Sequence, residues 1–324
     1  MRVTFAGSPD RAEARLVPEA GFELETFRVV GLPRRPSLAL ARAVLLAGAA
    51  LRACGRILAR RAPDVVLGGG GYVAGPMVFA AWRKRIPAAV TEADARLGLA
   101  NRLAAPFARR VLLAYPPERP LRPKERVVGR PLPARSMPVA RTDARAEFGL
   151  PADGPVVGVF GALAGARALN EVAVSAWAEH GPAVLHLSGE RDYDEVAARV
   201  RRPSYRLLPA TERFGAALSA VDLAVSRAGG TVWELAAAGV PAILVPYPYA
   251  TRDHQTSNAR HFAAGGGAVV VPEARLGEVP ALVADLLADP VRLAMMREAM
   301  LRLARPRAAA DVADELVALA EQRR

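Results

Sequence analysis

A single cysteine, Cys54, in 324 residues excludes any disulfide within the chain and fits a reducing compartment. Aromatic residues make up only 6% of the chain, and no basic run is interleaved with them, so an RNA-binding surface of that kind is excluded and no nucleic-acid partner is expected. Long apolar runs are also missing. The run Ala43 to Leu51, for one, is far short of the roughly 20 residues that cross a bilayer. The chain opens as a strand, Met1-Arg2-Val3-Thr4-Phe5, without the charged-then-apolar pattern of a leader peptide. Acidic residues are in deficit, 32 against 44 Lys and Arg, for a formal net charge of +12. That excess favours anionic partners such as phosphates, acidic lipids or nucleic acid, although Arg and Ala richness can also come from a GC-rich genome, which discounts it.

Apolar residues, at 52%, suffice for two cores, and the length suits two domains. Strands are predicted at 2–6, 28–31, 64–67, 86–90, 111–114 and 126–128. Between them lie helices at 11–19, from Ser37 to Arg61, from Pro76 to Arg83 and over 98–108. Gly68-Gly69-Gly70-Gly71 after the third strand permits close approach of a ligand or a backbone but lacks the dinucleotide spacing. Leu38, Leu45, Leu46, Ala49 and Ile57 give the long helix a broad apolar side. Arg34, Arg35 and Arg42 cluster at its start, a combination suited to packing on a sheet or resting on an anionic membrane. A Pro- and Arg-rich linker ends near 133. The second half repeats the rhythm, with strands at 155–160, 183–187, 205–208, 221–226, 242–245 and 268–271 and terminal helices from Val279, Val291 and Ala308. Strict strand–helix alternation means parallel sheets with right-handed crossovers, and ligands at the C-terminal ends of the strands. The expected domains are 1–133, 134–303 and a last helix within 304–324 that could pack back on the first.

One stretch organises the rest: Ser226 to Asn258, SRAGGTVWELAAAGVPAILVPYPYATRDHQTSN. A buried strand meets Gly229-Gly230, a helix starts at Thr231, and Gly239 stops it. Such a helix start offers free N–H groups and a partial positive charge to a phosphate. Glu234, one turn in, can take both hydroxyls of a ribose. The pattern Thr231-x-x-Glu234 is equally a capping box in which Glu234 serves only the backbone.

With these motifs in place, the chain resembles the MurG family of glycosyltransferases. The resemblance rests on Gly70-Gly71-Tyr72-Val73-Ala74-Gly75-Pro76, Thr91-Glu92-Ala93-Asp94 with Gly98-Leu99-Ala100-Asn101-Arg102, and Gly161 to Asn170. Ser188-Gly189-Glu190-Arg191-Asp192-Tyr193, the SRAGGTVWELAAAGVP run and Asp253-His254-Gln255 with Asn258-Ala259 complete it. It implies an α/β fold of two Rossmann-like, doubly wound parallel-sheet domains, the GT-B glycosyltransferase architecture. The implied activity is transfer of N-acetylglucosamine from UDP-N-acetylglucosamine to an undecaprenyl-linked muramoyl-pentapeptide in peptidoglycan synthesis. It would proceed with inversion and without metal or cofactor, at the cytoplasmic face of the bacterial inner membrane, on an anionic surface. Donor-site residues implied are Gly165, Thr211, Gly229, Gly230, Thr231, Glu234, His254, Gln255 and Asn258. Those implied for the acceptor are Gly70, Gly71, Tyr72 and Asp94. Glu234 then reads as the ribose ligand, while His254 could equally be a loop-stabilising side chain; His180, His186 and His261 read as structural.

The departures are specific. Residues 1–21 match the family's second strand and the segment after it, so the first β-α unit with its His is expected to be missing, leaving an unpaired central position in the first sheet. Glu92 is then the nearest candidate for the general base. Arg130 and Pro133 stand where the family carries Asn and Arg, and Leu163 and Ala164 replace a Ser and a Gln. Three alternatives remain open: a related transferase with another sugar or lipid, a nucleotide-binding scaffold without activity, and a start misplaced at Met1 in a protein whose first domain is full.

Overall fold

The computed structural model describes residues 2–29, 38–161 and 166–322, with side chains in the long second helix from residue 48 onward. Ser37, Arg34, Arg35, Arg42, Leu38, Leu45 and Leu46, as well as Gly165, Leu163 and Ala164, therefore fall outside the described residues or side chains. The chain divides into two compact units.

The first unit comprises Met1–Ala93, Leu97–Val128 and Ala310–Arg324. Its elements are β1 (Thr4–Gly7), α1 (Glu13–Glu19), β2 (Glu23–Thr26), α2 (Leu38–Arg61), β3 (Val66–Gly68), α3 (Gly71–Arg83), β4 (Ala88–Glu92), α4 (Leu99–Ala104), β5 (Arg110–Leu113) and β6 (Glu125–Val127). All pairings are parallel, in two separate sheets: β1–β2, and β3–β4–β5–β6. One core serves both, since Ala6 of β1 and Phe27 pack with Cys54 and Leu58 of α2, Val78 and Ala81 of α3 and Val90 of β4. Arg61 donates to Glu25 at 2.7 Å, fastening the end of α2 to β2.

Two expected boundaries are corrected. The second strand lies at 23–26, where Glu23 to Thr26 pair in register with Thr4 to Gly7; of the expected strand at 28–31, residues 28 and 29 are not strand and residues 30 and 31 lie outside the described residues. The third helix starts at Gly71, not Pro76, so the glycines form its entry: Gly70 (φ +89) is the N-cap and Gly71 (φ +66) the first residue. Pro76 sits inside that helix, where it removes one backbone donor.

The second unit comprises Asp94–Arg96 and Gly129–Ala309. It runs α5 (Arg141–Glu147), β7 (Val156–Phe160), α6 (Arg167–Trp177), β8 (Ala183–Leu187), α7 (Tyr193–Ala197), β9 (Tyr205–Leu208), α8 (Phe214–Ala220), β10 (Leu223–Ser226), α9 (Thr231–Ala238), β11 (Ala242–Leu244), α10 (His254–Ala264), β12 (Ala268–Val270), α11 (Val279–Leu287) and α12 (Pro290–Leu303). Its strands form one parallel sheet in the order β12-β11-β10-β7-β8-β9. The inner strands are buried on both faces, which is why they read as unbroken apolar runs. From β7 the chain winds outward through β8 and β9, then returns to β10 on the other side. The C-terminal ends of β7 and β10 are therefore the switch point where such sheets bind ligands. The last helix, α13 (Ala308–Glu321), belongs from Ala310 onward to the first unit. There Val312 and Leu319 pack on Ala89, Leu112 and Val128, and Arg110 binds Glu315 at 2.9 Å.

Candidate functional site

At the switch point of the second unit, Ser226 ends β10 fully buried, its hydroxyl donating to the Phe160 carbonyl of β7 at 3.2 Å. The turn after it is half-exposed only at Gly229 and Gly230, where α9 starts. No side chain among the described residues caps that helix start. Its far end is closed by Gly239 in the left-handed conformation, φ +64, as the sequence indicates.

The capping box is not formed. Glu234 accepts instead from the hydroxyl of Ser136 at 2.5 Å, and Ser136 is itself buried. That bond holds the Glu234 carboxylate half-buried, one turn from the open N–H groups. Two arginines flank the turn. Arg227 is committed, donating to the carbonyls of Val245 and Pro246 and pairing with Glu273. Arg130 lies against Gly230, where an added Cβ would come within 2.6 Å of its guanidinium carbon.

Helix α10, which sequence patterning missed because its polar first turns carry no apolar stripe, brings three predicted residues together. Its entry is bent by Arg252 and Asp253, both at positive φ. His254 holds the Thr251 carbonyl through Nδ1 at 2.8 Å, which is the loop-stabilising arrangement. Gln255 accepts from the Tyr247 N–H at 2.9 Å, and its amide nitrogen is 3.9 Å from where a Gly229 Cβ would stand. Asn258, fully buried, donates to the Ala228 carbonyl at 3.1 Å and so fixes the turn from beneath. It also donates to Asp94 at 3.1 Å and accepts from the Ala95 N–H at 2.8 Å, both in the 94–96 segment of this unit. Thr211 stands at the approach to α8, its hydroxyl accepting from the Arg213 N–H at 3.0 Å.

In the first unit, the buried Glu92 ends β4. Its Oε2 accepts from the Gly98 N–H at 2.8 Å and from the Asn101 amide at 2.9 Å, clasping the loop beyond β4 to α4. Asn101 also donates to the Thr91 carbonyl at 2.9 Å, and its amide nitrogen lies 3.6 Å from where a Gly70 Cβ would stand. Gly70 thus borders the Glu92–Asn101 cluster, whereas a Cβ on Gly71 would meet nothing within 4 Å; Asn101 Oδ1 is buried and without a hydrogen-bond partner among the described residues. Tyr72 next to them is 60% exposed.

Two family profiles match this chain: the glycosyltransferase family 28 N-terminal domain over residues 1–113 and its C-terminal domain over 156–315. The UDP-N-acetylglucosamine–N-acetylmuramyl-(pentapeptide) pyrophosphoryl-undecaprenol N-acetylglucosamine transferase of Salinibacter ruber is 39% identical, over all of this chain and 90% of that protein. The enzyme of the same name from Mycobacterium tuberculosis is 40% identical, over 99% of this chain and 82% of its own. The crystal structure of Acinetobacter baumannii MurG superposes with a TM-score of 0.79 at 29% identity, covering 97% of this chain and 90% of that one. The chain belongs to the MurG family of glycosyltransferase family 28.

Two clusters of this family-28 chain carry no signal in the sequence. Ser136 is one, because a lone Ser 98 residues from its partner leaves no local pattern. The second is a buried chain of polar groups beneath the 188–192 loop. Tyr205 donates to His186 Nδ1 at 2.7 Å, and His186 Nε2 donates to Asn170 Oδ1 at 2.9 Å. The Asn170 amide group then donates to the Ser188 carbonyl and to Asp192. Because an amide oxygen only accepts, this order fixes the His186 proton on Nε2. Burial pushes the His186 pKa down to about 3, so the ring is neutral. Asp192-Tyr193-Asp194 has Asp-x-Asp spacing, yet Asp192 is tied to Arg191 and Asn170 in this network.

Proposed function

We infer that this chain transfers N-acetylglucosamine from UDP-N-acetylglucosamine to the lipid-linked N-acetylmuramoyl-pentapeptide, with inversion at the anomeric carbon. The observation that carries the reading is identity of 39% with a transferase of that name along the whole chain. The site residues are proposed in the same sense. The open N–H groups at Gly229, Gly230 and Thr231 hold the diphosphate and stabilise it as it departs. Glu234, pinned by Ser136, takes the ribose hydroxyls; Thr211 lies toward the base; Gln255, with His254 and Asn258 shaping its loop, takes the sugar. Gly70, Gly71, Tyr72 and Asp94 are assigned to the acceptor, where the unpartnered Asn101 oxygen would receive a hydroxyl or N–H.

The attacking hydroxyl needs a positioned base. Glu92 is proposed for it, and Glu92→Gln separates its roles: a fall in kcat at unchanged melting temperature supports proton abstraction, whereas lost stability alone assigns it to clasping the loop. Residence on an anionic membrane surface at its cytoplasmic face is part of the same proposal. None of the described helices is long and apolar enough to cross a membrane. Trp82, Leu99 and Leu103 of the first unit are more than half exposed, and a groove of about 620 Å³ between α2 and α3 is lined by Arg52, Arg56 and Lys84 with no carboxylate.

The deciding experiment incubates the protein with lipid-linked muramoyl-pentapeptide and either UDP-N-acetylglucosamine or UDP-glucose. Disaccharide lipid formed from the N-acetyl donor alone, with stoichiometric UDP, supports the proposal. Equal use of UDP-glucose would replace it with a transferase of broader donor range. Donor binding without turnover would favour a scaffold.

A further inference from the structure

We propose that Arg130 is a direct ligand of the donor diphosphate in this chain, its guanidinium reaching the phosphate from beside the N-cap of α9. This rests on the donor site proposed above and adds to it a residue that the family resemblance does not supply.

Three observations converge on the guanidinium. Gly129, just before it, is held at φ +84 with no room for a side chain, since a Cβ there would meet Arg305 Cβ at 2.3 Å. The backbone direction at Arg130 is therefore fixed from its N-terminal side. The guanidinium in turn lies on Gly230: an added Cβ would be 2.6 Å from Cζ and from Nη2 and 3.0 Å from Nε. Finally, Arg130 is only half-exposed and has no hydrogen bond or ion pair among the described residues. Two carboxylates tied to the segments around this turn have other partners, Glu234 with Ser136 and Glu273 with Arg227.

A cation is thus packed against the positive end of a helix whose first N–H groups are uncapped. The two repel, and among the described residues no hydrogen bond or ion pair to Arg130 offsets the repulsion. An anion that touches both turns the arrangement from unfavourable to favourable, through charge-assisted N–H bonds from the backbone turn and from the guanidinium beside it. A diphosphate suits this better than a single carboxylate, because it presents charge to the backbone turn and to the planar guanidinium at once. Gly230 must stay a glycine for the same reason: any side chain would displace the guanidinium.

The test is calorimetric titration of the full chain with UDP, UMP and uridine, comparing wild type with Arg130→Gln, Arg130→Lys and Gly230→Ala. A lost charge-assisted contact predicts that Arg130→Gln weakens UDP by roughly 10- to 100-fold. Uridine should bind unchanged, and the salt dependence of UDP binding should become shallower. Arg130→Lys should recover part of the loss. Gly230→Ala should mimic Arg130→Gln and add little to it in the double variant. Unchanged UDP affinity in Arg130→Gln, or an equal loss for uridine and UDP, overturns the proposal while leaving the donor site standing. Failure of the wild type to bind either UDP or uridine overturns the donor site and this proposal together.

Discussion

Glu234→Gln is the substitution that most sharply separates a nucleotide-binding carboxylate from a structural one. The glutamine keeps the volume and still offers an oxygen to the Ser136 hydroxyl, which reaches Glu234 at 2.5 Å in the native protein. Only the charge is removed. A hydrogen bond to an ionised acceptor contributes about 1.5–3 kcal/mol, against about 0.5–1.5 for a neutral one, so two ribose hydroxyls lose about 2 kcal/mol together. That is roughly a 30-fold weaker UDP. Titration with UDP and with 2′,3′-dideoxy-UDP reads the effect directly. The native protein should prefer UDP, and Glu234→Gln should abolish most of that preference while leaving the dideoxy nucleotide near its native affinity. Equal weakening of both nucleotides would refute the ribose assignment. Glu234→Ala should cost more, since it also leaves the buried Ser136 hydroxyl without its acceptor, about 1–3 kcal/mol of stability. In a unit of this size that lowers the melting temperature by about 2–4 °C per kcal/mol.

Gly239→Ala should destabilise the second unit by about 1–3 kcal/mol in urea, because φ is +64 and the new Cβ would meet Leu301 at 2.9 Å. His186, with its folded pKa held near 3 by burial and an unfolded value of about 6.5, binds its proton only on unfolding. Its contribution is therefore complete above about pH 6.5 and is lost as pH falls from there toward 3, by about 2 kcal/mol at pH 5; His186→Gln should flatten that part of the stability profile. Asp222→Ala should cost about 3–5 kcal/mol by equilibrium unfolding, since it strips the fully buried Arg145 of the carboxylate it binds at 2.8 Å. Trp82→Glu with Leu103→Glu should reduce sedimentation with anionic vesicles and leave UDP affinity unchanged, as both side chains are more than half exposed in the first unit.

Much of the second unit is legible in the residues themselves. β8, β9 and α9 fall where the pattern places them, as does α13 of the first unit: β8, buried from Val184 to Leu187, is a short apolar run, and Gly239 is an unambiguous stop. The polar helix α10 is not legible, since its burial is confined to Asn258, Ala259 and Phe262. In the first unit, Glu23 to Thr26 are partly exposed and mixed in polarity, so only their register with Thr4 to Gly7 identifies the strand.

Residue order alone sets the alternation of strand and helix, the glycine turn at Gly229-Gly230 and the resemblance that places the chain in its family, since each is written in local spacing. Packing in three dimensions decides that Glu234 closes no capping box, because the capping box and the ribose ligand share one spacing and it is the hydroxyl of Ser136, from a distant segment, that holds the carboxylate. It likewise decides the place of Arg130, whose guanidinium reaches Gly230 from a segment far away in the chain, along a path set by the packing of Gly129 on Arg305. Spacing records what neighbours along the chain can do; contacts between distant segments are chosen by packing.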